Sequence, residues 1–441
     1  MKIITSLLLI VFAFFLTATQ LTVYNNNFAL VKDNLDMDLQ SGKVDFNFSK
    51  IPQTIEANSV IFNSQNSKLQ MLSQNFEFDL ANTDKILQKY IKKEITVHSK
   101  DGNIFTGELQ FFDIGNLGIL EKTTDRLQII NRNEVLNLNL SQLPENFYLK
   151  PTLHWKFNSP KAQKYKAEIS YLCRNISWEV TYNTVWNEKE LTLNSWVTLT
   201  NNSGKSFSDT KLKLVAGEVQ KLSQRFPSSY KNGRMVTEST QMPEFEEKSF
   251  HDFHLYTLSE KVDIKNKQTK QLKLFPTTKV DAASKYVYQT FANKVQSLIV
   301  FKNSAESGLG IPLPKGNIKV YKQDEADDQM EFIGEDKINH TAKDEEVEIS
   351  TGFAFDLVAE TKVLNQRKLG RNAVEKDMQV TLKNHSDKAK TIVVEHFPNG
   401  DWQIFNENVK FEKKSAHKIV FQLKLQPDEI SEITWTERIN Y

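Results

Sequence analysis

A single cysteine, Cys173, stands in a chain of 441 residues. That excludes both an internal disulfide framework and a thiolate-held metal cluster. No excess of one charge exists either. Lys and Arg number 56 against 55 Asp and Glu, so there is no basic field to hold nucleic acid or anionic lipid. Helical periodicity is scarce, heptads are missing, and no HExxH, GxSxG or HxH motif occurs. Catalysis is thereby left without a motif, although triads and carboxylate pairs are assembled in space rather than in sequence. What is present is an apolar fraction of 39% and a charged fraction of 25%, the balance of a folded globular protein. At roughly 150 residues per domain, the length predicts about three domains.

The N-terminus reads as an address. Met1-Lys2 supplies one positive charge, Ile3 to Leu16 is an almost unbroken apolar run, and Thr17-Ala18-Thr19 provides small residues for cleavage. A signal peptide is expected over residues 1–19. The run of about 14 residues falls short of the roughly 20 that span a bilayer. No Lys/Arg cluster follows it as a cytoplasmic anchor. An uncleaved N-terminal anchor is the alternative. No cysteine ends the run, which excludes lipoprotein attachment. The expected localisation is export, to the periplasm or outside the cell, with no integral membrane span after cleavage. Loss of Lys2 with the signal leaves 55 charges of each sign. Cys173 sits in Ile169-Ser-Tyr-Leu-Cys173, where Ile169, Tyr171 and Cys173 share a strand face. It reads as a buried, inert thiol, with no histidine near in sequence to activate it.

The body of the chain alternates with a period of two. Val44, Phe46 and Phe48 face one way, as do Ile419, Phe421, Leu423 and Leu425. Leu191 and Leu193 start a similar row that resumes at Val197 and Leu199 after a break near Trp196. The 29 Phe, 12 Tyr and 6 Trp suit half-buried strand surfaces. One helix is expected in Asn82–Tyr90, with an Asn or Thr cap and Ile86/Tyr90 four apart. Residues 91–140 read as about five short strands around an Asp101-Gly102 turn, a small SH3-like barrel. Export and the missing basic stripe argue against RNA binding there and favour a spacer or packing module. Val197–Ser203, Ile299–Ser304 and Val380–Ser386 echo one another, each running from a strand into Asn and Ser. An Asn there can hydrogen-bond its own backbone and tolerate positive φ, ending the strand in a turn. Tandem β-sandwich modules produce such recurrence.

The expected fold is mainly β, with tandem β-sandwich-like domains and a small SH3-like barrel near the N-terminus. The expected divisions are the signal at 1–19, an N-terminal β region at 20–80, and the barrel with one short helix at 81–143. A first sandwich region follows at 150–300, holding a polar, non-periodic loop at 221–250 expected to be mobile. A C-terminal sandwich region closes the chain at 301–441.

Candidate chemistry is thin. Ser203-Gly-Lys-Ser206 mimics the end of a phosphate loop, but its first glycine would fall at Leu199 inside a strand. Gly308-Leu-Gly310 lacks the third glycine of a dinucleotide turn, and Pro312 blocks the helix start. Asp324-Glu-Ala-Asp-Asp328 with Glu335 resembles a calcium loop in charge only. Ala326 and Gln329 occupy positions that need a ligand and a glycine, so a solvated hairpin turn is expected. His251 and His254 invite a metal, yet residues three apart on a strand point to opposite faces. Glu244, Glu246 and Glu247 fall in the polar loop, where nothing would shift their titration. Trp178, Val180 and Tyr182 share a strand face, with Trp186 beyond. Core packing is their expected role and a sugar-stacking platform the alternative.

Several blocks in order carry a family resemblance. Phe332–Thr341, Glu346–Asp356 (Glu-Val-Glu-Ile-Ser-Thr-Gly-Phe-Ala-Phe-Asp), Leu313–Tyr321, Ser177-Trp178 with Tyr182, and Leu212–Gly217 resemble the bacterial family catalogued as domain of unknown function 4139. Val23–Val31, Gln74–Asp79 and Trp196–Gly204 are similar to its longer members. The resemblance implies an exported bacterial protein with β-sandwich character, distantly related to mucoidy inhibitors. It carries over no catalytic or binding residues and no cofactor or metal, because the family has no assigned activity. The expected function is a non-catalytic cell-envelope protein that binds a protein or polysaccharide partner or serves a structural role. The alternative is an unrecognised glycan- or peptide-active hydrolase. It would need two buried carboxylates about 5 to 9.5 Å apart in a groove.

Overall fold

The computed structural model describes residues 19–79, 82–141, 147–217, 219–220, 245–370 and 372–440. The expected signal at 1–19 lies outside them except for Thr19, and so do residues 221–244 of the polar loop. Sheets carry the fold, and no helix among the described residues is long and apolar enough to cross a membrane. Alternation is stricter than the sequence pattern indicates. In the strand Glu190–Asn201 the residues Leu191, Leu193, Ser195, Val197, Leu199 and Asn201 are all buried. The expected break near Trp196 is therefore no break. Ser195 holds the core face in place of an apolar residue, its carbonyl accepting from Leu274 N–H at 3.1 Å and its hydroxyl from Phe275 N–H at 3.3 Å.

One continuous core joins the larger body. Its first sheet orders Phe207–Ala216, Gln20–Tyr24, Phe28–Leu39 and Gln163–Arg174 side by side. A three-stranded sheet places Thr152–Ser159 between Gly42–Phe48 and Gln70–Glu77. The third is built on Gly316–Gln323, Ile176–Trp186 and Glu190–Asn201. Trp155 packs near the middle, with Phe46 and Phe48 stacked on it and Phe62 and Phe157 edge-on or tilted around it. This core draws on residues 21–69, 153–216, 245–301 and 313–349 alike. The expected divisions at 20–80, 150–300 and 301–441 thus do not bound separate cores. Strand pairing overrides them: Gln20–Tyr24 runs parallel to Phe207–Ala216, nearly two hundred residues on. The segment Phe245–Phe250, expected to be loop, is a strand that pairs with Phe253–Leu258 and extends the first sheet.

A second sandwich encloses its own core. A four-stranded sheet in the order Leu357–Lys368, Ala373–Asn384, Ile430–Asn440, Asp401–Phe405 supplies Leu382, Val380, Ile433 and Trp435. Facing it, Lys390–His396 and Lys418–Leu425 supply Ile392, Val394, Ile419 and Phe421. One strand, Thr278–Gln289, belongs to both bodies. Its first half pairs antiparallel with Glu190–Asn201 and its second half parallel with Lys390–His396.

The small N-terminal unit is an insertion. Glu77 and Thr152 are cross-strand partners, Asp79 and Tyr148 exchange a further backbone bond of 3.1 Å, and the chain between them forms a separate core. Its helix Thr83–Tyr90 is capped by Asn82, whose side chain accepts from Lys85 N–H at 2.8 Å. Leu87 and Tyr90 are its buried pair, three apart rather than the expected Ile86/Tyr90. Five strands follow in the sheet order Val135–Leu140, Glu94–Ser99, Ile104–Phe112, Asn116–Glu121, Arg126–Asn131. The two outer strands do not pair, so the expected barrel is an open sheet capped by the helix.

The three echoing asparagines are clamps. Asn201 Nδ2 donates to the carbonyls of Lys205 and Lys265 at 2.8 and 3.1 Å, and its Oδ1 accepts from Ser203 N–H and Oγ at 3.1 and 2.8 Å. Asn384 repeats the set on Lys388 and Gln426 at 2.9 and 3.0 Å, with Ser386 at 3.1 and 2.7 Å. Asn303 bonds Ile311 and Ala342 at 2.7 and 2.9 Å. Asn201 and Asn384 hydrogen-bond the backbone of their own turns as expected, and none of the three takes the positive φ that Asn tolerates. Each also ties its turn to a hairpin far along the chain.

Candidate binding cleft

The strand shared by the two sandwiches also borders the cleft of about 400 Å³ between them. Three local devices build its walls. On one side, Glu346–Phe353 pairs with Gln296–Lys302, and a register shift between Ser297 and Leu298 leaves Thr351 as an extra, bulged residue. Gly352 sits there at φ 111°, a conformation that glycine adopts without penalty. Thr351 Oγ1 holds the corner by donating to the Ser297 carbonyl at 3.2 Å. The chain then leaves the sheet with Phe353 63% and Phe355 95% exposed, before Leu357 returns to the second core.

Opposite, the Asn384 clamp projects Ser386, Asp387 and Lys388 as a fixed turn. The third wall is the turn at Asn187–Lys189. Asn187 Oδ1 accepts from Lys189 and Glu190 N–H at 3.0 and 2.6 Å, and Glu188 is held at φ 73°. Glu188 bridges Lys322 of the larger body at 2.6 Å and Lys388 of the second sandwich at 3.2 Å. Hydrogen bonds from Lys322 and then Lys388 hold its carboxyl below the ordinary range, and the same contact raises the Lys388 ammonium. Glu188 is thus a fixed anion, unsuited to donate a proton. On the floor, Lys390 Nζ donates to Tyr286 Oη at 3.0 Å.

The carboxylates of the cleft, Glu188, Asp356 and Asp387, are all exposed. Buried carboxylates lie elsewhere, each with its own partner. Asp33 meets Lys205 at 3.0 Å, Asp79 meets Lys89 at 2.7 Å, and Glu375 meets Arg438 at 2.9 Å. The facing pair of buried acids that a hydrolase would need is not found in this cleft.

The residues singled out from sequence do not come together here. Trp178, Tyr182 and Trp186 are buried in the larger core, so they form no stacking platform. Burial pushes the Tyr182 hydroxyl far up, and it donates to the Pro314 carbonyl at 2.7 Å. His251 lies in a hairpin turn at φ 56°, and His254 pairs with Glu247 at 2.7 Å. Among the described residues no group of three His, Cys, Asp or Glu is placed to hold a metal. Glu246 and Glu247 lie in the strand Phe245–Phe250, while Glu244 is outside the described residues. Cys173 is fully buried. Ser203–Ser206 forms the Asn201 clamp turn, and Asp324–Asp328 joins two paired strands as a hairpin.

Sequence reasoning missed a chain of three polar groups. Thr290 Oγ1 lies 2.8 Å from His396 Nδ1, and His396 Nε2 lies 3.2 Å from Glu437 Oε1. The order hydroxyl, imidazole, carboxylate is that of a nucleophilic triad. His396 and Glu437, however, are both buried, the imidazole edge-on to Trp435, and none of the three borders the cleft. No signal in the sequence joins residues separated by 106 and 41 positions. The cleft aromatics did carry a signal: Gly352-Phe-Ala-Phe-Asp356 ends one of the blocks that resemble the family named above. No family model matches the chain, and no curated protein matches it. The resemblance therefore rests on those blocks alone.

Proposed function

We propose that this is an exported protein of the bacterial cell envelope, akin to the domain-of-unknown-function family 4139, that binds a partner without transforming it. The observation that carries the reading is the cleft, with two exposed phenylalanines on its rim and its anions in solvent or locked to lysines. Exposed aromatic rings beside fixed polar groups let one surface meet both an apolar face and a polar edge of a ligand. The strand shared by the two sandwiches runs beside it. The leader at 1–19 supports export.

The test is a thermal-shift screen of the mature protein against peptidoglycan fragments, polysaccharides and envelope peptides. A ligand at 100 times its Kd adds about 2.7 kcal/mol to stability, which the melting point registers. A saturable shift lost in Phe355→Ala is the expected result. Turnover of any of these ligands, or covalent labelling of Thr290 by a fluorophosphonate, would overturn the non-catalytic reading.

A further inference from the structure

The outer face of the first sheet carries a line of positive charge that the neutral total conceals. Lys248 stands in the strand Phe245–Phe250, in the row that runs on through Leu255, Val215 and Tyr24. Lys213 is two residues before Val215 and Lys211 two before that, so all three share a face. The Lys211 row continues through Gln20 to Lys32. Their strand neighbours Leu212, Leu214 and Val31 point the other way, into the core. At about 4.8 Å per strand and 3.3 Å per residue, the four lysines form a diagonal stripe roughly 20 Å long. None of their ammonium groups makes a hydrogen bond or ion pair among the described residues, and none borders the cleft. Lys213, the half-buried member, sits at the centre. Burial first, and then the charges of Lys211, Lys248 and Lys32, hold its ammonium below the ordinary lysine range.

Elsewhere on this face the signs alternate. Lys166 stands opposite Asp36 and Lys164 opposite Asp38, which is how a solvated sheet face offsets its charges. Beside and between the stripe lysines lie Thr257, Thr22 and Gln20, whose side chains make no hydrogen bond among the described residues and can donate. Like charges grouped in this way repel one another until an anion joins them. We infer that the stripe binds a linear polyanion, laid diagonally across the sheet so that successive anionic groups meet Lys248, Lys213, Lys211 and Lys32. A single small anion would leave part of a stripe this long unmatched. The exposed Glu246 lies beside one end and the exposed Glu168 beside the other. A membrane would press its plane of headgroups against these carboxylates as well, whereas a chain follows the lysines alone.

The experiment is titration calorimetry of the mature full chain with polyphosphate and with polygalacturonate of matched charge, over a range of salt concentrations. Saturable binding is expected, its logarithm falling with the logarithm of salt at a slope of roughly −3 for four lysine contacts. The tighter of the two probes names the anion. Lys211→Gln and Lys213→Gln are each expected to weaken binding severalfold and to reduce the slope by about 1. The double variant removes repulsion, so it should melt no lower than the wild type while losing most of its binding. Lys164→Gln, on the same face but opposite Asp38, is the control and should change neither slope nor affinity. Phe355→Ala, which bears on the cleft, should also leave polymer binding intact, so the two sites stand or fall separately. No binding of either polymer at low salt, or a slope indifferent to Lys211→Gln and Lys213→Gln, overturns the inference. So does binding to phosphatidylglycerol vesicles that these substitutions abolish, if neither soluble polymer binds.

Discussion

Asn201 and Asn384 perform one task at two places, and the task explains why Asn is needed. Each fully buried amide donates to two carbonyls from different turns and accepts twice from a serine two residues on. Aspartate would offer acceptors where both partners are acceptors, and alanine would strand them. Asn384→Ala is expected to cost roughly 2–4 kcal/mol, the sum of lost bonds and unsatisfied buried carbonyls. The shift in the urea midpoint at constant slope measures it. The same substitution should loosen Ser386–Lys388 and so weaken ligand binding at the cleft. The recurrence of Asn was legible, because strand ends repeat in the sequence. The carbonyls it grips were not: Lys265 and Gln426 lie 64 and 42 positions away, and only the folded hairpins bring them near. Positive φ falls instead on their turn residues, Lys267 and Asp428.

Among the strands, alternation told which side chains point inward but left the neighbours open, since a period of two fixes faces and not partners. Leu191, Leu193, Val197 and Leu199 were legible as one face. That Thr278–Gln289 would pair with two different bodies was not, because neither pairing leaves a mark in its composition. The parallel pair Ile176–Trp186 with Gly316–Gln323 is a similar case, and it has a testable weak point. Gly316 begins that strand opposite Val180, and a Cβ there would overlap the Val180 carbonyl oxygen and crowd the Tyr182 ring. The obstacle is backbone, which cannot swing aside as a flexible side chain does. Gly316→Ala is therefore expected to destabilise by about 1–3 kcal/mol, the cost of overpacking a filled site. Gly115→Ala, where φ is not positive and a Cβ would meet nothing closer than 3.7 Å, serves as comparison. Equal melting points for the two variants would refute the close approach.

For the chain as a whole, fold class followed from the period and the aromatic content, whereas the division into bodies did not. Contiguous stretches were expected to fold in turn, but the N-terminal strands return to pair near residue 210. The exception is the unit at 82–141, whose closely spaced short strands pair with sequence neighbours and form their own core. It leaves the larger body through a two-strand neck at Glu77 and Thr152, so its removal should cost that body little. The chief contact to repair is Asp79, buried and paired with Lys89 of the unit's helix, which would otherwise become an uncompensated charge. Replacing residues 82–141 with a short Gly-Ser linker and adding Asp79→Asn should leave a soluble protein. It is expected to melt in one cooperative step, within roughly 5 °C of the larger body's transition in the intact chain. Ligand binding at the cleft, as proposed, should be retained, because none of the removed residues borders it. Aggregation of the shortened chain, with loss of its sharp melting transition, would mean that the unit helps to hold the main core.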